Sequence, residues 1–301
     1  MAEITADLIR RLRETTGAGM MDCKKALSES GGNFDDSVDW LRKKGLAAAQ
    51  KKAGRVAAEG LVAVVVEGGR GAVVEVNSET DFVARNDKFQ GFVASVVKLA
   101  VQSKDLQDLS SKTIPGEGKT VADKLTDLVA TIGENMSLRR MATLSAGAGV
   151  VTAYVHSALA PGLGKIGVLV ALESTGDKEK LAVLGKQIAM HIAFGNPQAL
   201  TTDAIDKSAI ERERAVLTDK AKASGKPEAV IGKMVEGGLR KFFEDVVLLE
   251  QTYAGPPSPS IDANSKVSAV VEKAAKDVGA PVKVAGFVRM ALGEGIERTK
   301  D

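Results

Sequence analysis

The apolar positions change period along the chain, and each change marks an element. Through residues 1–55 they recur at helical spacing: Leu8, Ile9 and Leu12 behind a capping Thr5, Ala26 and Leu27 behind Asp22, and Phe34, Val38 and Leu41 behind Asn33. Thr16-Gly17-Ala18-Gly19 and Gly31-Gly32 interrupt these runs, so the segment predicts a small three-helix bundle. Met20 and Met21 then fall in the Gly-bounded turn between the first two helices, where an apolar pair is hard to bury completely. One of them can plug the bundle, or both can serve an adaptable surface. Residues 45–58 are Ala-rich, with Lys51, Lys52 and Arg55 following Arg42, Lys43 and Lys44, and read most simply as a helical, mobile tether with a solvated basic face.

Period two begins at Leu61. Residues 62–66, a turn at 67–71 and residues 72–76 predict a β-hairpin. Ser78-Glu79-Thr80-Asp81-Phe82-Val83-Ala84-Arg85-Asn86 joins it to a helix in which Phe89, Phe92, Val93, Val96, Val97 and Ala100 form one stripe. A cap at Asn86 leaves Phe82 and Val83 ahead of that stripe, so the local pattern permits either a buried or an exposed Phe82. Residues 103–119 read as a polar loop, Thr120 caps a helix bearing Val121, Leu125, Leu128 and Ile132, and residues 138–144 can pair as a strand. Residues 150–155 and 166–172, with a loop through Pro161-Gly162-Leu163-Gly164, then predict a second hairpin, and a helix with Leu181, Leu184, Ile188 and Ile192 follows it.

Hairpin followed by helix thus occurs twice, which predicts an α+β fold with two related subdomains, over residues 56–140 and 141–301. Residues 197–253 interrupt the second with helices only. A charged, thinly apolar helix to Ala223, the turn Ser224-Gly225-Lys226-Pro227 and a second helix with Val230, Ile231, Met234 and Val235 make an antiparallel helical hairpin. With so little internal apolar surface it either projects from the fold or pairs with another chain. Gly255-Pro256-Pro257-Ser258-Pro259 is a stiff connector to a last helix over residues 267–278 and a closing strand over residues 282–291.

Composition narrows the function by exclusion. Forty-one basic and thirty-nine acidic residues in a chain of 301 give a net charge of only +2, too balanced for wholesale coating of nucleic acid. The basic 42–55 stretch lacks interleaved aromatic residues for base stacking, so no direct nucleic-acid partner is expected. Cys23 is the sole cysteine, which excludes an internal disulfide, and with His156 and His191 the only histidines no Cys- or His-rich metal site is expected. Neither histidine has an evident Ser, Cys or carboxylate partner. There is no phosphate-binding G-x-x-x-x-G-K-[ST] loop, no G-x-S-x-G elbow and no H-E-x-x-H. The chain therefore reads as a binding protein rather than an enzyme, without a cofactor. With no apolar leader and no long apolar run it is expected in the cytoplasm and not on a membrane.

Several stretches carry a resemblance. Residues 15–27 (T-T-G-A-G-M-M-D-C-K-K-A-L), residues 76–84 with their T-D-F-V, Ile132-Gly133-Glu134-Asn135, residues 165–170, Gly225-Lys226-Pro227 and residues 233–237 resemble, in order, the motifs of bacterial elongation factor Ts. The resemblance implies an N-terminal domain like a ubiquitin-associated bundle, a core of two related subdomains and a projecting helical hairpin. It also implies a guanine-nucleotide exchange factor for elongation factor Tu, bound in its GDP and nucleotide-free states, in translation elongation. Asp81 and Phe82 would then intrude near the magnesium site of the GTPase, with Thr80 and Val83 supporting them. Met20, Met21, Lys24 and Arg13 would touch another helix of the GTPase domain, and His156 a different domain. Two departures are visible: members of the family continue past the G-E-G-I-E segment into a further C-terminal helix, from which no contact is carried over, and the loop at 158–164 is longer than the shortest family versions.

Overall fold

The structure is a computed structural model, and it describes residues 4–257 and 264–297. Ser258 and Pro259 of the expected connector, and the chain's last residues, lie outside the described residues. The N-terminal segment folds as helices α1 (Ala6–Thr16), α2 (Met20–Glu29) and α3 (Phe34–Lys52) around buried Leu12, Cys23, Ala26 and Leu27. Thr5 caps α1 through the Leu8 N–H and Asn33 caps α3 through the Asp35 and Asp36 N–H groups, as their positions predict.

Two local expectations fail here. Asp22 does not cap α2: the cap is Gly19, and Asp22 lies inside the first turn, where its charge suits the helix N-terminus and pairs with Lys44. Met20 and Met21 therefore open the helix rather than occupy the turn. Nor are residues 45–58 a mobile tether. Helix α3 runs on through them to Lys52, and buried Gly45 lets it approach helix α7 (Val121–Ile132) so closely that a Cβ there would lie 3.4 Å from the Ala130 Cβ. Arg42 adds an ion pair to Asp123 at 2.9 Å. Glycine at this point makes the bundle part of the body.

Strands β1 (Glu59–Glu67) and β2 (Arg70–Ser78) form the first hairpin. They lead through the single turn α4 (Asp81–Ala84) into α5 (Asp87–Ala100), capped by Asn86. The stretch read as a polar loop holds a short helix, α6 (Leu106–Ser111), whose Asp105 cap accepts the Asp108 N–H while Asp108 accepts the Lys104 N–H. It buries Leu109. Strand β3 (Met136–Ser145) pairs with β2 along its length, so residue 140, the expected subdomain boundary, falls within a strand. Strand β4 (Gly149–His156) follows, then β5 (Leu163–Gly164), β6 (Ile166–Glu173) and helix α8 (Lys178–Gly195). The helical hairpin comprises α9 (Lys207–Ala223) and α10 (Glu228–Val246), the latter continuous past Leu239, and the fold closes with α11 (Val267–Val278) and β7 (Lys283–Ala291).

Among the described residues the strands form two sheets, ordered β3-β2-β1-β5 and β4-β6-β7, packed face to face with helices on both outer sides. Alternation decides which residue meets what. Leu61, Ala63, Ala72 and Val74 face α5 and α7, whereas Val62, Val64 and Val73 meet Leu169 and Met290 of the second sheet. Val168, Val170 and Leu172 face α8 and α11. The sheets meet closely because Gly167 has no side chain: a Cβ there would lie 2.7 Å from Val62 Cγ1. β5, inside the loop expected to join the second hairpin, instead adds to the edge of the first sheet.

One charge is buried where these layers join. Glu75 accepts bonds from Asn77 Nδ2 (3.0 Å), Arg139 Nη1 (3.1 Å), Arg140 and the Gly293 N–H (2.8 Å). Burial alone would raise its carboxyl, but the Gly293 N–H, Arg140 and Asn77 outweigh burial and hold it below the usual carboxylate range. Arg139 and Arg140 reach on to the Glu294 and Ala291 carbonyls, at 2.6 and 2.8 Å. The segment after β7 is thereby fastened to β2 and β3.

Candidate partner-binding site

Phe82 stands out of the fold at the end of β2. It is 79% exposed, although Val83 and Ala84 beside it are buried among Leu61, Val74 and Phe89. Four residues cannot sustain an isolated helix, and α4 persists because its carbonyls are taken up locally. Phe82 O accepts the Arg85 N–H at 3.1 Å, Val83 O the Asn86 N–H at 2.9 Å, and Ala84 O the Gln90 side-chain amide at 2.9 Å. Ser78 Oγ donates to Thr80 O at 2.9 Å. Val83 thus pins the turn and Phe82 is what it displays, with exposed Asp81 next to it. Thr80 is half-buried and occupies the cap position, yet its hydroxyl makes no capping bond; hydroxyl and N–H both go to Glu134.

The other residues singled out from the sequence lie on two further surfaces. Arg13 is exposed in the last turn of α1; Met20 (57% exposed), Met21 (76%) and Lys24 share a face at the start of α2, at spacings of three and four. His156 is exposed at the end of β4, with Nδ1 3.2 Å from the Tyr154 hydroxyl. The three groups therefore stand on three different parts of the fold, and residues 80–83 are the one group given by an unbroken run of chain. Thr80 and Val83 face inward.

Two residues were given no role from the sequence, although Glu134 lies in one of the motifs that carry the resemblance. Phe194, at the end of α8, is 81% exposed and lines with Tyr154, His156, Ile166, Met190 and Pro256 an open cavity of about 530 Å³. Its signal was present: it falls off the stripe of Leu184, Ile188 and Ile192. Glu134 had no periodic signal, since its role depends on a contact 54 residues away in sequence.

His191, by contrast, is structural. Its Nδ1 accepts the Ala254 N–H (3.1 Å), so the ring proton sits on Nε2, which donates to Gln251 Oε1 at 2.9 Å. Burial lowers its pKa, against a smaller opposing effect of Gln251. Tyr253 stacks on it at 5.7 Å, and burial pushes that phenol up to about 12. Among the described residues no helix is long and apolar enough to cross a membrane, and no cluster of three metal-ligating side chains occurs.

Comparison with known proteins finds relatives over nearly the whole chain. The sequence model described as Elongation factor TS matches residues 79–294, from the turn that displays Phe82 to the segment held by Glu75. The elongation factor Ts of Rhodospirillum centenum is 62% identical over 299 residues, covering 99% of this chain and 95% of the relative. That of Paramagnetospirillum magneticum is 61% identical over 299 residues, covering 99% and 94%. That of Rhodospirillum rubrum is 59% identical over 300 residues, covering 99% and 95%. With identity this high over nearly its whole length, the chain belongs to the elongation factor Ts family.

Proposed function

We propose that this chain is a guanine-nucleotide exchange factor for elongation factor Tu, and that Phe82, with Asp81, is the wedge that opens the nucleotide site near its magnesium ion. The observation that carries the reading is Phe82 itself, 79% exposed on a turn whose neighbours are fixed in the core. A large apolar ring held in water is an unused source of binding free energy. Burying about 150 Å² of it in a partner is worth on the order of 4 kcal/mol before the work of opening that partner is subtracted.

The thermodynamics is linkage. Any factor that weakens GDP binding by some ratio is itself displaced by GDP in the same ratio, each tenfold being about 1.4 kcal/mol. Such a factor needs an anchor that engages the GDP-bound and the nucleotide-free partner alike, and a wedge that fits only the opened one. Met20, Met21, Lys24 and Arg13 supply the anchor on one side and His156 on the other, while Phe82 supplies the wedge. No covalent step is involved and no group of this chain acts as a catalyst. Release of labelled GDP from elongation factor Tu, compared between wild type and Phe82→Ala, tests the assignment: the variant is expected to lose most of the acceleration, and undiminished release would refute the wedge.

A further inference from the structure

We propose that Glu134 is a positioning residue for Phe82, acting through a reciprocal clamp on the turn that displays it; the inference rests on the wedge reading above. Glu134 follows the left-handed Gly133 that ends α7. Its Oε2 accepts the Thr80 N–H at 2.9 Å and its Oε1 the Thr80 hydroxyl at 2.6 Å. In return Glu79, on the other segment, accepts the Asn135 N–H. Residues 79–80 and 134–135 thus each give a carboxylate to the other's backbone. Asn135 also donates to the Arg55 carbonyl at 2.7 Å, and Arg55 approaches Glu79 at 3.4 Å, so the segment after α3 is held at the same point. That exposed ion pair contributes little, and the weight falls on Glu134 and Thr80.

The clamp fixes the backbone one residue before Asp81, and so the direction in which Phe82 leaves the fold. A threonine at a helix cap ordinarily bonds the first-turn N–H groups. Here the hydroxyl is withdrawn from that task, and its bonds run across the fold instead. Without Glu134 it is free to turn back onto α4, and Thr80 loses the partner that sets its extended conformation. Phe82 stays exposed but is no longer aimed. Preorganisation of this kind acts on the step in which the wedge enters rather than on first association.

The test titrates the full chain into elongation factor Tu loaded with a fluorescent GDP and follows release by stopped flow. Glu134→Ala is expected to lower the limiting release rate roughly tenfold, the scale of a lost charged hydrogen bond, with the half-saturating concentration within about twofold of wild type. Glu134→Gln is expected to recover to within about threefold, because its amide oxygen accepts the Thr80 N–H and its amide nitrogen donates to the hydroxyl. The double variant Phe82→Ala/Glu134→Ala is expected to be no slower than Phe82→Ala alone. A wild-type limiting rate for Glu134→Ala beside a slow Phe82→Ala overturns the clamp, and so do additive losses in the double variant. Undiminished release by Phe82→Ala overturns the wedge reading instead, so the two failures are distinct. If Glu134→Ala does not fold, Thr80→Val carries the test: it keeps the N–H bond and loses the hydroxyl, and a rate equal to wild type overturns the proposal.

Discussion

Phe82 and Met21 are exposed to nearly the same degree, 79% and 76%, yet the backbones beneath them are held in opposite ways. Under Phe82 the turn is fixed by its own carbonyl bonds, by Val83 and Ala84 in the largest core cluster, and by Glu134 from a segment more than fifty residues away. Under Met20 and Met21 there is a helix start without a side-chain cap, on a bundle whose buried apolar cluster is Leu12, Cys23, Ala26 and Leu27. The side chains differ in the same sense. A phenylalanine ring has two torsions and one shape, whereas methionine adapts to whatever it meets. On the proposed reading, the group that pries is rigid from core to ring, and the one that holds is allowed to conform.

The largest effect expected from breaking this contrast comes from the floor beneath Phe82. Phe89→Ala removes a fully buried ring that packs with Val83 and is expected to destabilise the chain by about 3 to 5 kcal/mol in denaturant unfolding. Phe82→Ala, seven residues earlier, is expected to leave stability within about 0.5 kcal/mol, as for an exposed site, while exchange falls by on the order of a hundredfold. Next come the methionines. Met20→Ala/Met21→Ala is expected to raise the half-saturating concentration of factor roughly tenfold, for two partly buried contacts, and to leave the limiting release rate alone.

The smallest effect is one of pH, and it falls on neither surface. His191 has a pKa lowered by burial, so the unfolded chain binds its proton more readily than the folded one. Its contribution is complete above the ordinary value of 6.5 and is lost as pH falls from there through the folded pKa. Glu75 behaves alike lower down: its stabilisation is present above 4.5 and is lost as acid protonates it. Thermal unfolding between pH 7.5 and 5.5 is expected to show decreasing stability in wild type and a flatter profile in His191→Gln.

How far the sequence anticipated all this depended on the range of the interaction. Asn33, Asn86 and Thr120 were legible as caps because a cap speaks to residues two and three positions away. The two hairpins and the stripe from Phe89 to Ala100 were legible because periodicity is local. Some misses were local, the Gly19 start of α2 and the short helix α6 with its Asp105 cap, but the larger ones are long-range. The docking of α3 on α7 depends on Gly45 meeting Ala130, which no pattern in either helix announces. The addition of β5 to the first sheet depends on a loop crossing from the second. The local pattern left Phe82 free to be core or surface, and its exposure follows from Val83, not Phe82, taking the inward direction of a one-turn helix. Thr80 was expected to support Phe82 through the resemblance alone; its two bonds to Glu134 belong to the tertiary fold.

The most direct test of rigid wedge against adaptable anchor is the concentration dependence of GDP release from elongation factor Tu, measured for wild type, Phe82→Ala and Met20→Ala/Met21→Ala. The account predicts a crossed result: the phenylalanine variant loses its limiting rate with little change in half-saturation, and the methionine variant loses half-saturation with little change in limiting rate. If both variants shift the same parameter, or if Phe82→Ala reaches the wild-type limiting rate, the division between the two surfaces is contradicted.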